Sequence, residues 1–358
     1  MAHGPDLVEL ERTALETALH ERGHERFRAR QLFGWIYKRG VTDLEAMTDL
    51  PRDLRGTLAR DFILSTPAVV RRESSSDGTE KFLLKLVDER HIESVFIPDT
   101  PGMTFCISTQ VGCAMACAFC LTGKMGLTRN LTAGEIVGQV RVLADALGLR
   151  ETPFNIVLMG MGEPLHNYDE TMKALRILCD PDGLAIASRR ITLSTVGLLP
   201  QLERLGREPI MPNLAISLHA PTDVQRGELV PLNRKYGVQE VIDACKRFPL
   251  KKRRRITFEY VLLSGVNDRP DDARRLARLL QGVKAKVNLI PLNAAAGIPF
   301  DRPSDEAVDQ FARIVADHDV VVSVRKSRGR DIRAACGQLI VESPRKSAAQ
   351  QLAVAIGN

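Results

Sequence analysis

The run Cys113-Ala-Met-Ala-Cys117-Ala-Phe-Cys120 constrains this chain more than any other stretch, because it sets three thiols at a C-x3-C-x2-C spacing in one tight loop. Three thiolates so spaced can each hold one iron of a cubane [4Fe–4S] cluster, which leaves the fourth iron open to a small molecule. The competing reading is zinc. A structural zinc site takes four ligands, and Cys106 stands near enough in sequence to be the fourth.

Seven cysteines, four of them within fifteen residues, do not make a disulfide framework for a chain of 358 residues. No apolar run approaches the length that spans a bilayer. The segment Met1–Glu9 has no charged region followed by an apolar one. A cytoplasmic protein without a membrane partner is therefore expected, in a compartment where thiols stay reduced and an oxygen-sensitive cluster survives. The net charge of +6 is a mild basic bias. It suits an acidic partner such as RNA but is shared by many proteins that bind none.

Residues 6–64 read as several short helices, with Leu7, Leu10, Ala14, Leu15 and Ala18 on one face and Gly23 as a stop. A second helical pattern runs from Phe27 to Gly40, a third covers Leu44 to Met47, and a fourth follows Pro51 as far as Leu64. Arg26, Arg28, Arg30, Lys38 and Arg39 lie between aromatics, as on a nucleic-acid surface; the solvated face of a small bundle explains them equally well. Val69–Glu73, Lys81–Leu86 and His91–Phe96 read as three strands of a meander, with Asp77-Gly78 as a turn.

From Thr104 onward, apolar runs alternate with helical patterns, which implies βα units and a parallel sheet. Strands are expected over 104–108, 155–159, 190–195, 214–217, 256–262 and 285–290, with helices over 132–146, 168–178, 238–248 and 271–280. Six units are too few to close an eight-stranded barrel. The expected architecture is α/β: a partial (βα)6 TIM-like barrel with its site at the C-terminal strand ends. The domain reading is a helical, RNA-binding-like unit over 1–66, a β-meander linker over 67–100, the barrel with its C-terminal segment over 101–340, and a tail over 341–358.

Candidate chemistry gathers past the strand ends. Met159-Gly-Met-Gly-Glu-Pro164 offers glycines for close backbone approach and a carboxylate, Glu163, for an ammonium. Ser194, Ser217, His219 and Asn293 follow later strands. Each alone is ordinary loop chemistry. Together they describe a pocket for S-adenosylmethionine (SAM), and the open iron, with Phe119 before the third thiol, fits the radical SAM pattern. Cys179 and Cys245 read as small buried hydrophobes. Cys106 and Cys336 are left unexplained by that pocket, and Glu93 sits among apolar strand residues where a solvent-facing position would also account for it.

These motifs resemble the RlmN family of radical SAM RNA methyltransferases over nearly the whole chain. The likeness rests on Glu93, Cys106, the cysteine loop, Met-Gly-Met-Gly-Glu-Pro, Leu-Ser-Thr, Ser-Leu-His, Asn293 and Ala-Ala-Cys336-Gly-Gln-Leu. It implies methylation of C2 of adenine in 23S rRNA and tRNA, with a [4Fe–4S] cluster on Cys113, Cys117 and Cys120 and two SAM molecules per turnover. Gly162, Glu163, Ser194, Ser217, Leu218, His219 and Asn293 would bind SAM. One SAM would methylate Cys336, and the radical from a second would take a hydrogen from the S-methyl group. The resulting carbon radical would add to C2, Glu93 would accept the C2 proton, and Cys106 would release the product by a disulfide with Cys336. A flavodoxin-like electron donor and a monomeric enzyme are also implied.

An adenine-C8 methyltransferase uses the same cysteines and is the nearest alternative. A zinc-bearing RNA-binding protein and a radical SAM activase acting on a protein glycine are the others. The arginines and lysine of 325–333 are expected to contact phosphate and to make RNA affinity fall with salt, while Lys251–Arg255 reads as a solvated loop.

Overall fold

The structure is a computed structural model that describes residues 4–99 and 102–341; the tail expected beyond residue 341 lies outside the described residues. Twelve strands are described: β1 Ala68–Ser74, β2 Glu80–Lys85, β3 His91–Ile97, β4 Thr104–Cys106, β5 Gln110–Gly112, β6 Leu127–Asn130, β7 Asn155–Leu158, β8 Ile191–Thr195, β9 Asn213–Ser217, β10 Ile256–Leu262, β11 Ala285–Pro291 and β12 Val321–Val324. Ten of them form one sheet in the order β1-β2-β3-β4-β7-β8-β9-β10-β11-β12. The stretch from β4 to β12 is parallel throughout. β1 to β4 pair antiparallel and extend the same sheet. The meander is thus hydrogen-bonded into the barrel wall, and the strand near 320–324 lies beside β11 as one more parallel member.

Burial follows chemistry. Ile256-Thr-Phe-Glu-Tyr-Val-Leu262 is buried at every position of β10, as expected of a central parallel strand covered on both faces. β1, at the edge, is almost wholly exposed and carries Arg71, Arg72 and Glu73, charges that discourage pairing with another chain. The helix Ala133–Ala146 starts where Thr132 and Glu135 make a capping box, and it buries Ile136, Val137, Val140 and Leu143 against the sheet. Its Gly138 is a packing necessity: a Cβ there would stand 2.7 Å from Pro67.

The N-terminal head contains the helices Arg12–His20, Arg28–Phe33 and Arg52–Asp61. The long pattern expected from Phe27 to Gly40 widens at Gly34 into a π-turn, Gly34–Lys38, which lets Ile36 and Tyr37 both reach the core. Arg12 pairs with Asp180 and Asp182, and Arg176 with Glu11, so ion pairs tie the head to the barrel. Among the described residues no helix is long and apolar enough to cross a membrane.

One expected strand is shorter than its pattern. The run 104–108 leaves the sheet after Cys106, and β5 then pairs with β6 in a two-stranded ribbon. Three-residue strands carry too little periodicity to be read from sequence. That ribbon frames the cysteine loop.

Candidate active site

The three thiols are held by backbone contacts at both ends of their loop. Cys113 N–H donates to Gly126 O at 2.9 Å, Ala118 N–H to Leu229 O at 3.0 Å and Cys120 N–H to Cys117 O at 3.1 Å. Gly112, just before the first thiol, has φ +80°, and a Cβ on it would lie 1.9 Å from Gly126 O. A Gly112→Ala variant should therefore force the ribbon apart, costing about 2 kcal/mol or more of stability, and should carry less iron per chain. Chemical denaturation and iron analysis check this; unchanged values for both would show that the ribbon does not set the loop.

Beyond the loop opens a cavity of about 910 Å³, its open mouth included, at the C-terminal strand ends. Cys113, Cys117 and Cys120 line one part, and Gly162, Glu163, Ser194, Ser217, His219, Asn293 and Cys336 line the rest. The donor set fits an iron–sulfur cubane. Among the described residues no three His, Cys, Asp or Glu side chains gather around a single-ion site, whereas a cluster spreads its thiolates over separate irons. Burial pushes the Cys113 thiol up to about 12 and raises Cys117 and Cys120 as well; bound metal removes such protons outright. Cys106 does not join the other three. Its sulfur has Cys336 and Arg325 for neighbours, so the fourth ligand that zinc would need points elsewhere.

The residues expected to bind SAM differ in how free they are. Gly160 and Gly162 serve close approach of another backbone. A Cβ on Gly160 would meet Ile107 C and O at 2.8 Å, and one on Gly162, at φ +105°, would meet Gln110 N at 2.8 Å. The Glu163 carboxylate accepts the amides of Leu165 at 3.0 Å and Val196 at 2.9 Å, and burial raises it to about 7. Two amides leave part of its lone-pair capacity for an ammonium. Ser194 Oγ and Ser217 Oγ lie 3.3 Å apart. His219 accepts Val261 N–H on Nδ1 at 3.1 Å and packs edge-on against Phe119; burial pushes it down to about 3, so it is a neutral ring at working pH. Asn293 Oδ1 is buried without a hydrogen-bond partner, an acceptor facing a pocket that a donor-bearing ligand would satisfy. Leu218 alone turns away, fully buried in the core. It lies between the cavity-lining Ser217 and His219, its amide donating to Glu259 O at 3.1 Å.

The C-terminal segment folds over the cavity. Leu121 N–H donates to Gly337 O at 2.8 Å, Thr122 Oγ1 to Leu339 O at 2.6 Å, Gln338 Nε2 to Ala294 O at 3.0 Å and Ile340 N–H to Glu93 Oε2 at 2.9 Å. Cys336 is thereby brought to Cys106 from the far end of the chain. Of two further residues beside them, sequence reasoning missed Glu259 and gave Arg325 a different role. Arg325 follows β12 and lines the same cavity as Cys336 and Glu259, with the Cys336 and Cys106 sulfurs and the Glu259 carboxylate as the groups that act on its charge. The expectation that Arg325 meets phosphate is corrected: it lines the cavity, while Lys326, Arg330 and Arg333 remain outside on exposed surface. Glu259, raised by burial against the pull of Arg325, accepts Asn288 Nδ2 at 2.7 Å.

Glu93 is not on the solvent face of its strand. It is buried, its pKa raised by that burial and opposed by Lys81 and the Ile340 amide. Cys245 is buried as expected, and Cys179 only half so.

Known proteins match this arrangement closely. Residues 107–279 match the Radical SAM superfamily, and residues 5–64 match the ribosomal RNA large subunit methyltransferase N-terminal domain. A protein of Geobacter sulfurreducens described as dual-specificity RNA methyltransferase RlmN is 52% identical over 334 residues, covering 93% of this chain and 91% of its own length. Its namesake from Pelobacter propionicus is 48% identical over 339 residues, with 95% and 96% covered. The crystal structure of a radical SAM methyltransferase from Sphaerobacter thermophilus superposes with a TM-score of 0.90 at 49% identity, over 94% of this chain and all of that one.

Proposed function

This chain belongs to the RlmN family of radical SAM RNA methyltransferases, and from that membership we propose that it methylates C2 of an adenine in the peptidyl-transferase centre of 23S rRNA and in the tRNA anticodon loop. It is a SAM-dependent RNA methyltransferase, and its cofactors are a [4Fe–4S] cluster and SAM. The observation that carries the finer reading is the meeting of Cys106 and Cys336 around Arg325, beside the three thiols.

In this reading Cys113, Cys117 and Cys120 hold the cluster, and Glu163, the Ser194–Ser217 pair, His219, Asn293 and the Gly162 and Leu218 backbones hold SAM. Bound there, the two cofactors supply an electrophilic methyl group and, on reduction, a carbon radical able to take a hydrogen atom. Adenine C2 is an electron-poor carbon that cannot attack a methyl cation equivalent. A sulfur can, and Cys336 is the sulfur at hand. Cys336 accepts the methyl group and carries its carbon to C2, joining enzyme and RNA through a thioether. Glu93 takes the C2 proton, a step that calls for a carboxylate near the base. Cys106 then gives up its proton and attacks the Cys336 sulfur: a disulfide forms, the bond from sulfur to carbon breaks, the freed carbon takes up a proton to become the methyl group, and the methylated base leaves.

Arg325 holds the Cys336 sulfur in place and offsets negative charge there. A one-electron donor of the flavodoxin class is the expected reductant, and the enzyme is expected to act as a monomer. The decisive assay is anaerobic: protein, SAM with a labelled methyl group, reductant, 23S rRNA or tRNA. Label on adenine C2 is the expected result. Label on C8 would overturn the regiochemistry, and label absent from RNA would overturn the reaction.

A further inference from the structure

Three charged side chains share one face of the antiparallel extension. Glu73 on β1 is paired directly with Lys81 on β2, and Glu93 on β3 sits one diagonal step from it, opposite Leu83. Lys81 Nζ is 3.1 Å from Glu73 Oε2 and 3.2 Å from Glu93 Oε1. Side-chain exposure rises along the row, from 2% at Glu93 through 7% at Lys81 to 33% at Glu73. The other Glu93 oxygen is taken by the Ile340 amide. The Glu93 main chain is bonded to uncharged groups, its carbonyl accepting Ser108 Oγ and its amide facing Met161 Sδ. Among the described residues Lys81 is the ionisable group in direct contact with the Glu93 carboxylate, with Glu73 behind it.

Stability alone does not account for this row. Buried ion triads are commonly matched or bettered by apolar side chains of the same volume, and an apolar edge strand could have covered Glu93. A base that receives one proton per turnover must also lose it, and at 2% exposure the Glu93 side chain offers water almost no surface of its own.

We propose that Lys81 and Glu73 are the route by which the proton taken up by Glu93 leaves the protein. The inference rests on the reading of Glu93 as the proton acceptor. In the transfer, Glu93 passes its proton to Lys81 Nζ while the ammonium passes one of its own to Glu73, and Glu73 releases that proton to water. One proton crosses from base to solvent and all three side chains regain their starting charge. Neither Lys81 nor Glu73 touches a reacting atom; both act through Glu93.

The test is repeated turnover by the holoenzyme with SAM, reductant and 23S rRNA in excess, because a first turnover finds Glu93 already free of its proton. Lys81→Arg keeps a cation between the two carboxylates but cannot give up its proton at working pH. It should be as slow as Lys81→Met, both about a hundredfold below wild type in product release, with the covalent RNA–protein adduct persisting. Glu73→Gln should slow the same step, and its rate should climb with the concentration of a small buffer base. Restoration of the rate by Lys81→Arg would reduce Lys81 to a structural ion pair and overturn the proposal. So would wild-type release by Glu73→Gln. Glu93→Gln run in parallel separates the two layers: adduct accumulation there with wild-type release by Glu73→Gln sinks the route alone. Normal release by Glu93→Gln sinks the acceptor and the route together.

Discussion

A Cys106→Ala enzyme will stop with RNA covalently bound to it through Cys336. Every group needed to make the adduct remains: the three thiols, the strand-end polar groups, Cys336 and Glu93. Only the sulfur proposed to break the adduct is gone. Product release should fall by roughly three orders of magnitude, the scale of losing a nucleophile, while the fold loses about 1 kcal/mol for one buried sulfur. In the wild-type protein, burial and the nearby Cys336 sulfur push the Cys106 thiol up to about 12. A protonated thiol is a poor nucleophile, which suits a sulfur proposed to act only once the adduct exists, and Arg325 is the neighbour that favours its charged form. A denaturant-resistant shift of the protein on a gel, abolished by ribonuclease, reports the adduct. Methylated RNA released at the wild-type rate would remove Cys106 from the mechanism.

Cys336→Ala should fail earlier and more cleanly. No methyl group should appear on the protein and none on RNA, a loss of at least roughly a thousandfold. Iron content and reductive cleavage of SAM should persist, because Cys336 is not among the three thiols of the loop. Its side chain is only partly buried, so stability should change by about 0.5 kcal/mol or less. Each of the variants Cys113→Ala, Cys117→Ala and Cys120→Ala should show the reverse pattern: iron lost, SAM uncleaved, Cys336 unmethylated unless the first transfer is independent of the cluster. A Cys336→Ala enzyme that still methylates RNA would place the carbon on some other carrier.

Much of the barrel was legible because its chemistry is local. The apolar runs near 155, 191, 214, 256 and 285 became β7 to β11, and the Thr132 capping box began its helix as written. Site residues were legible where a motif stood at a strand end. Glu259 was not, since one carboxylate inside a seven-residue apolar strand gives no hint of a partner. Arg325 was masked by its neighbours: in a run with Lys326, Arg328 and Arg330 it reads as one more phosphate contact. Only the register of β12 beside β11 turns it inward. Lys81 and Glu73 were hidden for a related reason. An ion pair across strands is a property of pairing, and pairing is invisible to a pattern read along one segment.

The segment that carries Cys336 has its partners scattered: Ser75 and Asp77 hold Asp331 and Gly329, Thr122 holds Leu339, Ala294 holds Gln338 and Glu93 holds Ile340. A growing chain folds from its N-terminus as it leaves the ribosome. The cysteine loop therefore emerges and meets its β5–β6 ribbon long before residue 329 has been made. During that interval the thiols face water, and the cavity has no cover. The last stretch of translation both closes the chamber and delivers the sulfur that works inside it. The birth order of the polypeptide thus leaves an open door for iron first and shuts it with the segment that holds Cys336.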